Sequence, residues 1–140
     1  MAVKRNWQRG AIVVLCLLGA GCGEPEPAPT ELSEQMWEDM RLAIPRVGGP
    51  SEEFLVAETP AQIATVAENV LEDSGVRLVR KDSAPQGPWL LGKSLADRNV
   101  LVQVLPVDPG RSAVRVTVQG DDAVARELLR RLSTDIVQML

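Results

Sequence analysis

Two periodicities divide this chain. Between Glu31 and Gly75 apolar residues recur at spacings of three and four, and from Val76 onward they largely alternate with polar ones. The first spacing lines one face of a helix and the second lines one face of a strand. Leu32, Met36, Met40 and Ile44, widened by Trp37 and Ala43, predict a first helix over Glu31–Ile44, with Thr30 as its cap and Pro45 as its stop. Gly48, Gly49 and Pro50 then break the chain, and Glu53–Glu58 reads as a short strand. The clearest helix start follows, with Thr59 as N-cap, Pro60 at the first helical position and Gln62 completing a capping box. Ile63, Val66, Ala67, Val70 and Leu71 make its core stripe, and Gly75 ends it.

The alternating region predicts strands over Val76–Lys81, Trp89–Leu95, Val100–Val107 and Ala113–Gln119. A loop over Ser83–Pro88, the tight connection Asp97-Arg98-Asn99 and the turn Asp108-Pro109-Gly110 separate them. Gly120 and Asp121 open a last helix whose apolar stripe is Val124, Leu128, Leu132, Ile136 and Met139. The expected fold is α+β and two-layered. An antiparallel sheet of about five strands has one dry and one wet face, two amphipathic helices lie on the dry face, and an extra N-terminal helix precedes them.

The first thirty residues follow a different logic. Lys4, Arg5 and Arg9 precede an uncharged apolar run, Ala11–Leu18, and the small residues Gly19, Ala20 and Gly21 lead into Cys22. That run is shorter than the roughly 20 apolar residues needed to span a hydrocarbon core. The stretch Leu18-Gly19-Ala20-Gly21-Cys22 resembles a bacterial lipoprotein lipobox, with the large apolar residue four positions before the cysteine instead of three. The resemblance implies cleavage between Gly21 and Cys22, palmitate-type acyl chains on Cys22, and an anchor in the membrane. More than one acyl chain makes such attachment stable. Gly23 stands where an aspartate would mark retention at the inner membrane, which implies the outer membrane, facing the periplasm. The alternative for Cys22 is an ordinary secretory signal followed by an unmodified cysteine. Residues 1–21 are thus read as a signal peptide, 22–30 as a Pro/Glu-rich tether, 31–52 as the first helix and a linker, and 53–140 as the α+β domain.

Composition narrows the chemistry. The whole chain has no histidine and no tyrosine, and its two cysteines are Cys16, inside the leader, and Cys22. A mature chain from Cys22 would therefore lack the commonest general base and any free thiol. Residues 22–73 hold twelve acids against two bases, whereas residues 74–140 hold seven against ten. The excess of negative charge argues against nucleic acid as a partner.

Two lipoprotein groups are similar in element order from Phe54 to Leu140. One is a family of small lipoproteins with a single domain of unassigned function, matched by the strand before Thr59–Gly75, the strand series and the Gly120-Asp121 pair. The other is the helix-grip domain of the C lipoprotein of the outer-membrane β-barrel assembly machine. Its resemblance rests on Phe54-Leu55-Val56-Ala57-Glu58, Arg80-Lys81-Asp82 and Arg131-Leu132-Ser133-Thr134-Asp135. Members of the second group carry two such domains, whereas this chain has room for one. Neither resemblance implies catalytic residues.

No catalytic set, cofactor or metal site emerges from the residues. Lys81 with Ser83 and Lys93 with Ser94 are ordinary strand and turn neighbours, and the pairs Glu52-Glu53, Glu72-Asp73 and Asp121-Asp122 flank or cap elements. Asp108-Pro109-Gly110 lacks the further ligands of a calcium loop. The candidate partner surface is the wet sheet face, where alternation places Arg77, Lys81, Lys93 and Arg115 together as a basic patch. The acidic first helix is expected to dock on this patch or compete for it, with Trp37 and Met40 buried in the core as the plainer outcome. The leading expectation is a lipid-anchored, non-enzymatic envelope protein serving protein interaction or assembly, with an envelope protein as partner. The alternative is a module holding a small lipid or cell-wall ligand in a cavity lined by Leu91, Val102, Val116 and Leu128.

Overall fold

A computed structural model describes residues 30–41 and 44–140, with side chains described from Glu34 onward. Gly21, Cys22, the leader and the tether before Thr30 lie outside the described residues, as do Ala43 and the side chain of Leu32. The elements run α1 (Thr30–Arg41), β1 (Ser51–Val56), α2 (Pro60–Asp73), β2 (Arg77–Ala84), β3 (Gly87–Lys93), β4 (Asn99–Asp108), β5 (Arg111–Val118) and α3 (Ala123–Met139). The strands form one antiparallel sheet in the order β1-β5-β4-β3-β2. β2 to β5 are a meander, and β1 pairs with β5, so α2 carries the chain from one sheet edge to the other.

α2 forms as its sequence requires. The Thr59 hydroxyl accepts from the Gln62 amide at 3.2 Å, and Ile63, Val66, Ala67, Val70 and Leu71 are buried. These residues pack with Phe54, Leu90, Val100, Val102, Val104, Val114, Val116 and Val118, and with Ala125, Leu129, Leu132 and Ile136 of α3. The main core therefore lies between the sheet and helices α2 and α3.

Several boundaries and two faces differ from expectation; α1 is described to Arg41, and Ile44 lies outside the helix. The loop expected over Ser83–Pro88 is mostly ladder, because Ala84 pairs with Gly87 and leaves only Pro85 and Gln86 in the turn. Gly87 permits this, since a Cβ there would lie 2.0 Å from the Val104 carbonyl oxygen. β3 stops at Lys93, and Leu95 stands exposed in the following turn. β1 begins at Ser51 instead of Glu53, extended by a 2.8 Å hydrogen bond between the Ser51 and Thr117 hydroxyls.

The expected α3 stripe holds at Leu132 and Ile136, with Leu128 half-buried against the core, and fails at its two ends. Val124 and Met139 are 60% and 56% exposed, and the contact line is Ala125, Leu129, Leu132, Ser133 and Ile136. Asp122, not Gly120-Asp121, caps the helix by accepting from the Ala125 amide at 3.0 Å. Small residues at Ala125 and Ser133 allow the helix axis to approach the sheet, which favours this face over the bulkier one.

The second sheet face is not wet throughout. Leu55, Trp89, Leu101, Leu105 and Ala113 are buried there against Trp37 and Met40 of α1 and against Ile44. The two-layer body thus carries α1 as a partial third layer.

Candidate functional site

Strand register builds a polar row across the second face. Glu53 pairs with Arg115, Arg115 with Gln103, Gln103 with Trp89, and Trp89 with Asp82. α1 lies over the β1 end of this row. The Trp37 indole nitrogen donates to the Glu53 carboxylate, and the Arg115 guanidinium sits 4.9 Å from the Trp37 ring centroid. Arg115 also pairs with Glu53 and, through α1, with Glu34, each at 3.2 Å. Its side chain is left only 18% exposed.

This arrangement corrects the expected patch of Arg77, Lys81, Lys93 and Arg115. Arg77 and Lys93 are cross-strand partners on the second face, as alternation required. Between Leu78 and Arg80 the register shifts, leaving Val79 as an extra residue. Beyond that bulge the faces exchange. Lys81 pairs with Leu90 on the side of α2 and reaches Glu68 at 3.1 Å. Arg80 takes the place expected for Lys81, lying 5.1 Å from the Trp89 ring centroid and 3.4 Å from Asp82. The cationic strip is therefore Arg77, Arg80 and Lys93, the last within 3.8 Å of Asp97, while Arg115 is set apart beneath α1.

The expected cavity quartet is divided in the same way. Val102, Val116 and Leu128 join the main core, whereas Leu91 packs on the second face. An open space occurs instead beside α1. A cleft of about 200 Å³ is bordered by Arg41, Arg46 and Arg115, by Ser51, Gln103 and Thr117, and by Ile44, Pro45, Val47 and Leu101. Gln103 is 2% exposed, and its Nε2 has no hydrogen-bond partner; neither has Arg115 Nε. Sequence reasoning did not single out Trp37's role over Arg115, Arg80 or Gln103. The last carried a legible signal, as the lone polar residue in Val100–Leu105.

The acids set aside in the sequence serve structure. Asp122 is held below the usual carboxylate range first by the Ala125 amide and then by Arg98, at 2.6 Å. Asp108 is likewise lowered by Arg111, and its carboxylate also accepts from the Gly110 amide, so the turn uses its ligand capacity. Ser94 accepts from the Arg98 amide, and the Lys81 ammonium lies 3.1 Å from the Glu68 carboxylate. Among the described residues, no group of three or more histidine, cysteine, aspartate or glutamate side chains is placed to hold a metal ion. Among the same residues, no helix is long and apolar enough to cross a membrane. No protein-family model matches the chain, and no curated protein matches it.

Proposed function

We propose that this chain is a lipid-anchored envelope protein, held through acylated Cys22 on the outer membrane and facing the periplasm. Its domain acts without catalysis as an interaction or assembly-accessory module. The observation that carries this reading is the order of basic residues, apolar run, small residues and Cys22, followed closely by folded sequence at Thr30. Eight residue steps separate Cys22 from Thr30, and eight steps span about 29 Å at most in any conformation. The domain is then confined to the membrane's vicinity. Arg77, Arg80 and Lys93, on the edge strand β2 and its neighbour β3, suit an acidic segment of a partner.

Two measurements test the proposal. Intact-mass analysis of membrane-extracted protein is expected to show loss of residues 1–21 and acyl chains on the new N-terminus, and Cys22→Ser to release the protein from the membrane fraction. A photo-cross-linking residue in place of Arg77 is expected to trap one envelope protein. An unmodified thiol at Cys22 removes the anchor from the proposal, and a diffuse cross-linking pattern removes the partner.

A further inference from the structure

We infer that β2 receives, along its free edge, an extended acidic segment of a partner protein, which pairs with it as an added strand and sets two consecutive acidic residues opposite Arg80 and Lys81. The inference rests on the interaction role proposed above and narrows it to one mode of contact. β2 ends the sheet order, so one row of its backbone groups faces away from β3. Strand register identifies that row. The two-residue turn Pro85-Gln86 makes Ala84 and Gly87 a hydrogen-bonded pair, and such pairs alternate with non-bonded ones along an antiparallel ladder. Asp82 with Trp89 and Arg80 with Leu91 are then bonded pairs, whereas Lys81 and Ser83 turn their N–H and C=O groups outward. The same alternation turns Ser94 toward β4, where its amide donates to the Arg98 carbonyl at 2.9 Å.

Part of the outward row is already taken. The Ser83 amide donates to the Asp82 carboxylate at 2.8 Å, and the bulge at Val79 interrupts the edge before Arg80. A short ladder remains, made of the Lys81 N–H and C=O and the Ser83 C=O. Pairing of that length needs support from side chains, and cations stand on both sides of it. Arg77 and Arg80 rise from the second face, and Lys81 from the face of α2. A segment lying over the second face reaches the first two and is separated from Lys81 by the sheet itself. A segment in the plane of the sheet meets Arg80 and Lys81 together, because successive residues of a strand point to opposite faces. The residues opposite them are therefore also successive, and charge complementarity makes both acidic.

The present partners of these cations leave them exchangeable. Lys81 with Glu68 and Arg80 with Asp82 are exposed pairs, of the class that contributes little. Charge decides against a second copy of this chain as the occupant of the edge. β2 carries Arg77, Arg80 and Lys81 against the single acid Asp82, so two such strands repel when paired.

The test uses the full chain, ¹⁵N-labelled in a neutral detergent at low ionic strength and titrated with the blocked hexapeptide Thr-Thr-Glu-Glu-Val-Thr. Paired antiparallel, its first glutamate lies opposite Lys81, its second opposite Arg80 and its valine beside the exposed Val79. The Lys81 amide is expected to shift saturably and to gain protection from hydrogen exchange, and the Gln-Gln form of the peptide to leave it in place. N-methylation of the first glutamate, whose N–H faces β2, should abolish binding, whereas N-methylation of the second, whose N–H faces solvent, should change it by no more than about twofold. Arg80→Gln and Lys81→Gln, both at exposed positions, should each weaken binding about two- to fivefold. Equal binding of the two methylated peptides or of the Gln-Gln form, unchanged binding in both variants, or no saturation below about 50 mM overturns the inference. So does protection of the Lys81 amide that rises with protein concentration in the absence of peptide, which identifies a second copy on the edge. A cross-link from position 77 to an envelope protein, found together with equal binding of the two methylated peptides, leaves the interaction role standing and removes strand pairing alone.

Discussion

Replacing Trp37 with alanine should detach α1 and leave the rest of the domain folded. Trp37 is fully buried, and among the described residues it packs with Met40 of α1, and with Ile44 beyond the helix, on the second sheet face. An aromatic side chain buries about 150–250 Å², worth roughly 4–6 kcal/mol at ~25 cal/mol per Å². Residual burial in the unfolded chain lowers this to about 3–5 kcal/mol, the range usual for deleting a buried tryptophan. Against that gain stands the ordering of a twelve-residue helix, at roughly 1–2 kcal/mol per residue of backbone entropy. That cost makes the docking of α1 depend on its apolar contacts with the sheet, of which Trp37 supplies the largest side chain.

The main core, on the opposite face, keeps its own contacts with α2 and α3. In hydrogen exchange, amides of residues 34–41 should lose protection while those of β4 and β5 keep theirs, as expected for local opening. The uncovered Leu55, Trp89, Leu101 and Leu105 should bind a hydrophobic dye. Trp37→Phe, which keeps a ring over Arg115 but deletes the donor to Glu53, should fall between. Wild-type protection over residues 34–41 in Trp37→Ala refutes the reasoning. So does simultaneous loss of protection in β4 and β5, since α1 would then be part of the cooperative unit.

Two further predictions concern the frame that holds the site. At Gly49 (φ +156°) a Cβ would lie 1.9 Å from the Val118 carbonyl oxygen, a backbone atom with no freedom to yield, so Gly49→Ala should destabilise by about 1–3 kcal/mol in denaturant unfolding. Gly48→Ala, with nothing within 4 Å of its added carbon, should stay within about 0.5 kcal/mol, and equal losses at both positions would refute the steric account. The lowered pKa of Asp122 means that the folded state favours its charged form, so its contribution is present above the ordinary carboxylate pKa and is lost as pH falls through the lowered one. Asp122→Ala should lower the melting temperature at pH 7 and converge with wild type near pH 2; a gap constant with pH would refute the charge–amide origin.

Local chemistry made most of the frame legible. Thr59, Pro60 and Gln62 act within four residues of one another, so their helix start needed no tertiary knowledge. The alternation of Val114, Val116 and Val118 likewise placed β5 correctly, because a strand face repeats every second residue whatever it packs against. The bulge at Val79 was not legible. Nothing in Leu78-Val79-Arg80 marks an extra residue, and one inserted residue exchanges the faces of everything beyond it. That single slip moved Lys81 to α2 and brought Arg80 onto Trp89. The covered second face did carry a signal. Val100–Leu105 is nearly continuous in apolar residues, the pattern of a strand buried on both sides, but its partner lies some sixty residues earlier. The cleft was illegible for the same reason, since it joins the chain around Ile44–Gly48 to β4 and β5 through a register that only the folded chain sets.

The geometry also separates two ideas that the charge pattern had merged. An acidic first helix and a basic sheet face suggest attraction as the cause of docking. Yet Glu38 is engaged by Arg41 and Asp39 by Gln35, both within α1, and Glu34 reaches one sheet cation, Arg115. That pair has a mostly exposed carboxylate, in the class of ion pairs that contribute little. Burial of Trp37, Met40 and Ile44 therefore supplies the affinity, and Arg115, placed between Glu34, Glu53 and the Trp37 ring, fixes where along the sheet the helix settles. Arg77 and Arg80 take no part and stay exposed. A partner drawn to them would meet α1 already in place, and Trp89, which carries Arg80 and belongs to the cluster of Trp37, is where the strip and the helix meet.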